Sequence, residues 1–416
     1  MSQWPLVAIG DLLRIEHGFA FKGDYFEAEG TEVVLTPGNF KIGGGLQLRG
    51  GKEKFYSGPY PERFRLVPGD LLIAMTDLTQ NAPILGSPLV IPHDGVFLHN
   101  QRLGKVEILN EDRLEKRFAY YLFASDLVRS QIRGSATGAT VRHTAPGRVG
   151  AVMVRLPPIG SQRRIAEVLR AYDELIEINT RRIKILEEVA QSIYKEWFVN
   201  FRYPGHENVP LVDSALGPIP EGWEVAPLGE LCSRLQAGGT PRRGEEDFWA
   251  DGTVDWYRTT ELQDGFLFNS AEKISERAIQ SSSARMFEAG TILMAIYGSP
   301  TVGRLGVLTK PASCNQAALG LVPDHQRLPV PLLYWHLMEL RQHFNSIAQG
   351  AAQQNISKAK VAETLVLVPP AATSHDFAVC VEPAWELIRT LSVAVSNLRQ
   401  TRDLLLPRLV SGEITV

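Results

Sequence analysis

Cysteine is scarce: Cys232, Cys314 and Cys380 are the only three in 416 residues, and none stands in a CxxC or Cys/His metal spacing. That pattern excludes a disulfide scaffold or a zinc module and points to a reduced, cytoplasmic protein. No apolar run is long enough to span a bilayer. The opening MSQWPLVAIGDLL lacks the basic and apolar regions of a signal peptide. Charge imbalance is missing too, with 43 basic against 46 acidic residues and a net charge of -3. This excludes a strongly cationic protein but not a nucleic-acid binder, whose footprint is a local patch rather than a total. With 44% apolar and 21% charged residues the chain reads as globular, and its length calls for two or three domains.

Signatures of catalysis are also absent. Gly43 to Glu53 is glycine-rich, but it lacks the first glycine of a phosphate-binding loop and the Ser/Thr after the lysine, so a tight turn is expected. There is no GxSxG and no HExxH. Pro157-Pro158 and Pro369-Pro370 lack the flanking residues of an amino-methyltransferase motif and instead should end a strand before a helix. His17, His93, His99 and His143 have no acid or cysteine at triad spacing and read as surface or satisfied core histidines. Cys314 reads as a small buried hydrophobe. No catalytic residue, metal ligand or cofactor is expected.

What the chain does have is periodicity. Ile165, Leu169, Tyr172, Ile176, Asn179, Ile183, Leu186, Ala190, Ile193 and Trp197 alternate steps of four and three. Such a seam, about 48 Å long at 1.5 Å per residue, wants a partner helix. Asn179 is either a half-exposed position or a register-setting polar residue. Phe377, Val381, Ala384, Ile388, Leu391, Val395, Leu398, Arg402, Leu405 and Leu409 repeat the pattern at the C-terminus. Thr373 and Asp376 resemble a capping box, and Pro383 should kink or delay the first turns. The two helices, over 161–200 and 373–411, are candidate partners.

The blocks 1–157 and 203–368 are rich in Gly and Pro and carry short β-type runs such as DLLIAM (70–75) and TILMAI (291–296). They are copies of one unit. Trp4 to Leu12 matches Trp223 to Leu231, Pro68 to Met75 matches Ala289 to Ile296, Asn100-Gln101 matches Asn315-Gln316, and Val154 to Pro158 matches Val366 to Pro370. The offsets are 219, 221, 215 and 212. The order is block, helix (158–202), block, helix (369–416). Two copies joined this way can close into a pseudo-twofold object, with the helices as a spacer between them.

Loops combining small, basic and amide residues are the binding candidates. One is Ser135 to Thr144, with Thr140, Arg142 and His143; its counterpart, Gln349 to Lys358, has Gln354, Asn355 and Lys358. The loop after DLLIAM, with Thr76 and Gln80, is matched by Tyr297 to Arg304. The basic turn at Thr240 supplies Arg242 and Arg243, with Trp249 and Trp256 downstream, which read as core. Such side chains can bond base edges or phosphates.

WPLVAIGDLL, GWEVAPLGEL, GDLLIAMTDLTQNAPILG, LPPIGSQRRIAEVL, LIEINTRRIKILEEVAQSIYKEWFVNF and TRDLLLPRLVSGEI together make the chain resemble the specificity (S) subunit of Type I restriction-modification systems. The resemblance covers essentially the whole chain. It implies an α+β protein: two similar β-rich target-recognition domains alternate with two long helices that pair as an antiparallel coiled coil. Each domain would read one half of a split double-stranded DNA site, and the helices would set the unread spacer. It also implies assembly with two methyltransferase (modification) subunits, which bring S-adenosylmethionine, and with a restriction subunit. The second block departs at AGTILMAIYGSP against PGDLLIAMTDL, so contacts need not carry over from one half to the other. The competing reading is a duplicated adaptor that docks two proteins and never touches DNA.

Overall fold

The computed structural model describes residues 4–298, 301–349 and 355–416. The chain divides into two compact units, Met1–Glu177 with Asn397–Val416, and Ile178–Ser396. Each therefore contains one β-rich block and a part of both long helices.

The duplication is visible in the strand order. In the first unit the main sheet runs Leu13–His17, Leu103–Ile108, Leu71–Ala74, Pro88–Val90. In the second it runs Cys232–Ala237, Ala318–Pro323, Ile292–Ala295, Leu305–Leu308, with Phe266–Leu267 added at the edge. Each unit also carries a smaller sheet built on a parallel pair: Glu32–Leu35 beside Val96–His99, and Val254–Tyr257 beside Ser313–Cys314. The block ends are tied together by an antiparallel pair, Leu6–Ala8 with Met153–Arg155 and Glu224–Pro227 with Leu365–Val368.

The apolar runs DLLIAM and TILMAI are central strands covered on both faces, which is why they do not alternate with polar residues. Leu71, Ile73 and Met75 face one core and Leu72 and Ala74 another. Ile292, Met294 and Ile296 divide in the same way from Leu293 and Ala295.

Pro157-Pro158 and Pro369-Pro370 stand between a strand and a helix as expected: the helices are Ile159–Tyr194 and Ala371–Ser411. A π-turn, Lys195–Val199, continues the first. Two expectations about the second are corrected. It starts before Thr373, so Thr373 and Asp376 lie inside the first turns rather than capping them. It also runs unbroken past Pro383, which does not delay it. Pro383 gives up one backbone hydrogen bond, and the burial of Phe377, Val381 and Ile388 around it offsets that loss.

Every seam position of both helices is buried or half-buried, Asn179 and Arg402 included, while most residues between them are exposed. Ile165, Leu169, Leu409 and Val410 join the core of the first unit; Ala190, Tyr194, Phe198, Phe377 and Val381 join that of the second. The buried Gln162 fastens the start of the central helix. Its amide donates to the carbonyls of Arg113 and Pro157, both at 2.8 Å, and accepts from the Glu115 N–H at 2.9 Å. Among the described residues no helix is long and apolar enough to cross a membrane.

Candidate nucleic-acid interface

The candidate loops gather at one end of the main sheet in each unit. In the first, Arg142–His143 pairs antiparallel with Thr76–Asp77, and His143 also bridges Thr137. In the second, Asn355 bridges both Tyr297 and Gln349. The backbone continues alike: Thr144 N–H donates to the Met75 carbonyl at 3.0 Å and Ile356 N–H to the Ile296 carbonyl at 2.9 Å. His143 thus corresponds to Asn355, and Thr76 to Tyr297.

The side chains on this shared frame differ. Thr76 is 4% exposed, and its hydroxyl is hydrogen-bonded to His143 Nδ1 at 3.0 Å. Tyr297 is 42% exposed. The Asn355 Oδ1 atom is buried with no partner among the described residues. Asp77 is buried and holds its loop by accepting from Thr79 and from the Ile84 N–H. This leaves Gln80 exposed on the turn.

The remaining candidates are placed as follows. Thr140 is exposed in the turn before Arg142. Arg142 folds back to donate to the Arg133 carbonyl at 3.0 Å, with its Nε buried and unpartnered. Arg304 is half-buried, and Lys358 is exposed at the start of the short helix Lys358–Glu363. Gln354 lies outside the described residues. Arg243 is committed within the unit, paired with Glu272 at 2.7 and 3.0 Å and stacked 3.8 Å over Trp249. Trp256 is buried, as a core reading requires. Arg242 is exposed and lines a cavity of about 540 Å³ with Thr240, Ser282 and Ser283.

One pair of turns served in the sequence only as an alignment landmark. Asn100-Gln101 and Asn315-Gln316 lie beside the same sheet end, because Met75 N–H donates to the Arg102 carbonyl and Ile296 N–H to the Ala317 carbonyl, both at 2.9 Å. Both turns close by the same bond, Leu103 N–H to the Asn100 carbonyl at 3.0 Å and Ala318 N–H to the Asn315 carbonyl at 3.1 Å. The residue before each turn is buried and reaches the same carbonyl: His99 Nε2 at 3.0 Å from the oxygen of Leu103, and Cys314 Sγ at 3.8 Å from that of Ala318. Burial pushes His99 down to about 4 and the Cys314 thiol up to about 12, so both are neutral at ordinary pH. The expectations of a satisfied core histidine and an inert cysteine hold.

A family profile described as the Type I restriction modification DNA specificity domain matches residues 1–188 and again 220–378. The chain belongs to this family. It is a Type I DNA-specificity subunit, a non-catalytic component that recognises DNA sequence, and the adaptor reading falls away. It is 25% identical over 313 residues to the Type I restriction enzyme MjaIX specificity subunit of Methanocaldococcus jannaschii, covering 74% of this chain and 71% of that protein. It is 24% identical over 435 aligned positions to the EcoBI specificity subunit of Escherichia coli, covering 100% of this chain and 87% of that one. Its fold resembles that of the S subunit of a Type I restriction-modification system from M. genitalium, with a TM-score of 0.61 over 98% of this chain and 96% of that one at 15% identity.

Proposed function

We propose that this specificity subunit reads a split double-stranded DNA site, with one half assigned to residues 1–157 and the other to residues 203–368. The observation that carries this is the duplication: one strand order and one loop frame occur twice with different side chains on the frame. Repeated scaffolding with unlike side chains suits two half-sites of unlike sequence. The chain then works in the cytoplasm as the reading component of a complex with two methyltransferase subunits and a restriction subunit.

Residues 158–202 and 369–416 act as the spacer, pairing as an antiparallel coiled coil with Asn179 near its middle. Contacts inside each unit support this. In the first, Arg402 pairs with Asp173 at 2.7 Å, while Arg164 donates to the carbonyl of Val416 at 2.9 Å. In the second, Phe377 packs on Trp197 with ring centroids 5.8 Å apart, while Ile388 and Trp385 line a cleft with Glu187. In both units, rising numbers on one helix meet falling numbers on the other.

The test is to reconstitute the chain with its methyltransferase partners and map the methylated sites. A chimera with residues 1–157 taken from another specificity subunit should change one half of the site and keep the other half and the spacing. Methylation without site preference, or a chimera that alters both halves, would sink the assignment.

A further inference from the structure

We infer that the two Asn-Gln turns, each with one nearby basic residue, form a matched pair of DNA-backbone clamps that hold both half-sites in register without reading sequence. This rests on the DNA-reading function above and adds Gln101, Gln316 and Lys22, which sequence reasoning left unassigned, to the candidate Arg242.

The first support is construction. Each turn is crossed by a glycine that permits no side chain. A Cβ on Gly18 would lie 2.3 Å from the Asn100 carbonyl oxygen, and one on Gly238 would lie 2.2 Å from that of Cys314 and 2.6 Å from that of Asn315. The crossing strand is bonded to the turn in both copies, by Phe19 N–H to the His99 carbonyl at 2.8 Å and Gly239 N–H to the Cys314 carbonyl at 2.9 Å. With the shared closing bond and the buried residue before each turn, the geometry is the same in both units, although the buried residue is histidine in one and cysteine in the other.

The second support is what the turns display. Gln101 and Gln316 are both exposed; Gln316 is oriented by a hydrogen bond from the Thr240 hydroxyl, and Gln101 makes no side-chain hydrogen bond among the described residues. Four residues beyond each crossing glycine stands an exposed cation, Lys22 or Arg242, neither with a side-chain ion pair among the described residues. The loop candidates differ between units at matched positions; these two positions keep an amide and a positive charge. A group common to both halves suits what both half-sites share, which is the phosphodiester backbone. Amide and basic side chains bond phosphate oxygens and fix register without carrying sequence information.

Binding by the reconstituted methyltransferase complex tests this, using a labelled duplex with the mapped site and one of scrambled sequence. Gln101→Ala and Gln316→Ala should weaken both duplexes by the same factor, about tenfold for the loss of a hydrogen bond to a charged acceptor. Gln101→Glu and Gln316→Glu, of equal size, should be weaker still, because a carboxylate would face phosphate. Lys22→Ala and Arg242→Ala should each reduce the slope of log affinity against log salt by about 1, while the alanine variants of glutamine leave it unchanged. Relaxed preference at one base pair of one half-site would make these residues base readers and overturn the proposal. So would unaltered affinity for both duplexes in variants with the parent melting temperature. If the unsubstituted complex itself bound both duplexes alike, the DNA-reading function would fail instead.

Discussion

Arg402 Nη1 lies 2.7 Å from Asp173 Oδ1, and the Tyr121 hydroxyl donates to Asp173 Oδ2 at 2.8 Å. A basic residue on the seam of the C-terminal helix is thereby joined to the central helix and to the helix Lys116–Ala124. Both partners of the ion pair are about 30% exposed (29% and 31%). Asp173→Ala should therefore cost about 1–2 kcal/mol in denaturant unfolding, mostly by leaving the Tyr121 hydroxyl without its acceptor and Arg402 with only Asp403, its neighbour on the same helix. In a double-mutant cycle Arg402→Met should recover part of that loss. Strictly additive effects would show that the pair does not couple the helices.

Glu187 faces Tyr334 and Trp385 in the second unit. Burial, then repulsion from Asp264 and Glu188, raises its carboxyl to about 7. The folded value lies above the unfolded one near 4.3, so its ionisation penalises folding as pH rises from about 4.3 to 7 and remains in full above that. Glu187→Gln should stabilise the protein by about 1 kcal/mol at pH 8, after discounting for partial exposure, and by nothing at pH 4. Melting curves at both pH values check this; an equal gain at both would remove the titration as the cause.

Two buried histidines give the opposite sign. Burial lowers both His99 and His336 to about 4, and His336 Nδ1 is hydrogen-bonded to the Tyr194 hydroxyl at 2.7 Å. Their folded values lie below the unfolded value near 6.5, so their contribution is complete above about 6.5 and declines as pH falls toward 4. His336→Gln should flatten the acid limb of the stability profile in that window. A limb of unchanged steepness would assign acid unfolding to other groups.

One heptad inserted into both long helices should move the blocks apart by about 10 Å, at 1.5 Å per residue. With a rise of about 3.4 Å per base pair along the DNA helix axis, the preferred spacer should lengthen by about three base pairs. Methylation mapping reads this directly, and an unchanged spacer would refute the ruler.

Substitutions on the loop frame should act on separate halves. His143→Ala should alter recognition in one half-site, and Asn355→Ala or Lys358→Ala only in the other. A base-contacting side chain is worth about 1–3 kcal/mol of discrimination. If a single substitution disturbed both halves, the assignment of one half to each block would be wrong.

The sequence by itself determined the features that repeat along the chain. The seam from Ile165 to Trp197 and its C-terminal twin were legible because a four-three spacing dictates which side of a helix is covered, and burial follows it. The duplication was legible because copied segments keep their order and nearly their spacing, and the strand order repeats it. Tertiary structure decided what depends on partners distant in sequence. Thr76 is buried because strand register places it against His143. Arg243 is committed because folding brings Glu272 and Trp249 to it. The helix crosses Pro383 because the packing around Phe377, Val381 and Ile388 outweighs one lost backbone bond, a balance that local propensity does not register. Asn100-Gln101 and Asn315-Gln316 were visible as letters, but only the crossing of Gly18 and Gly238 over them shows a rigid, matched pair of turns, since close backbone approach is a property of the folded chain.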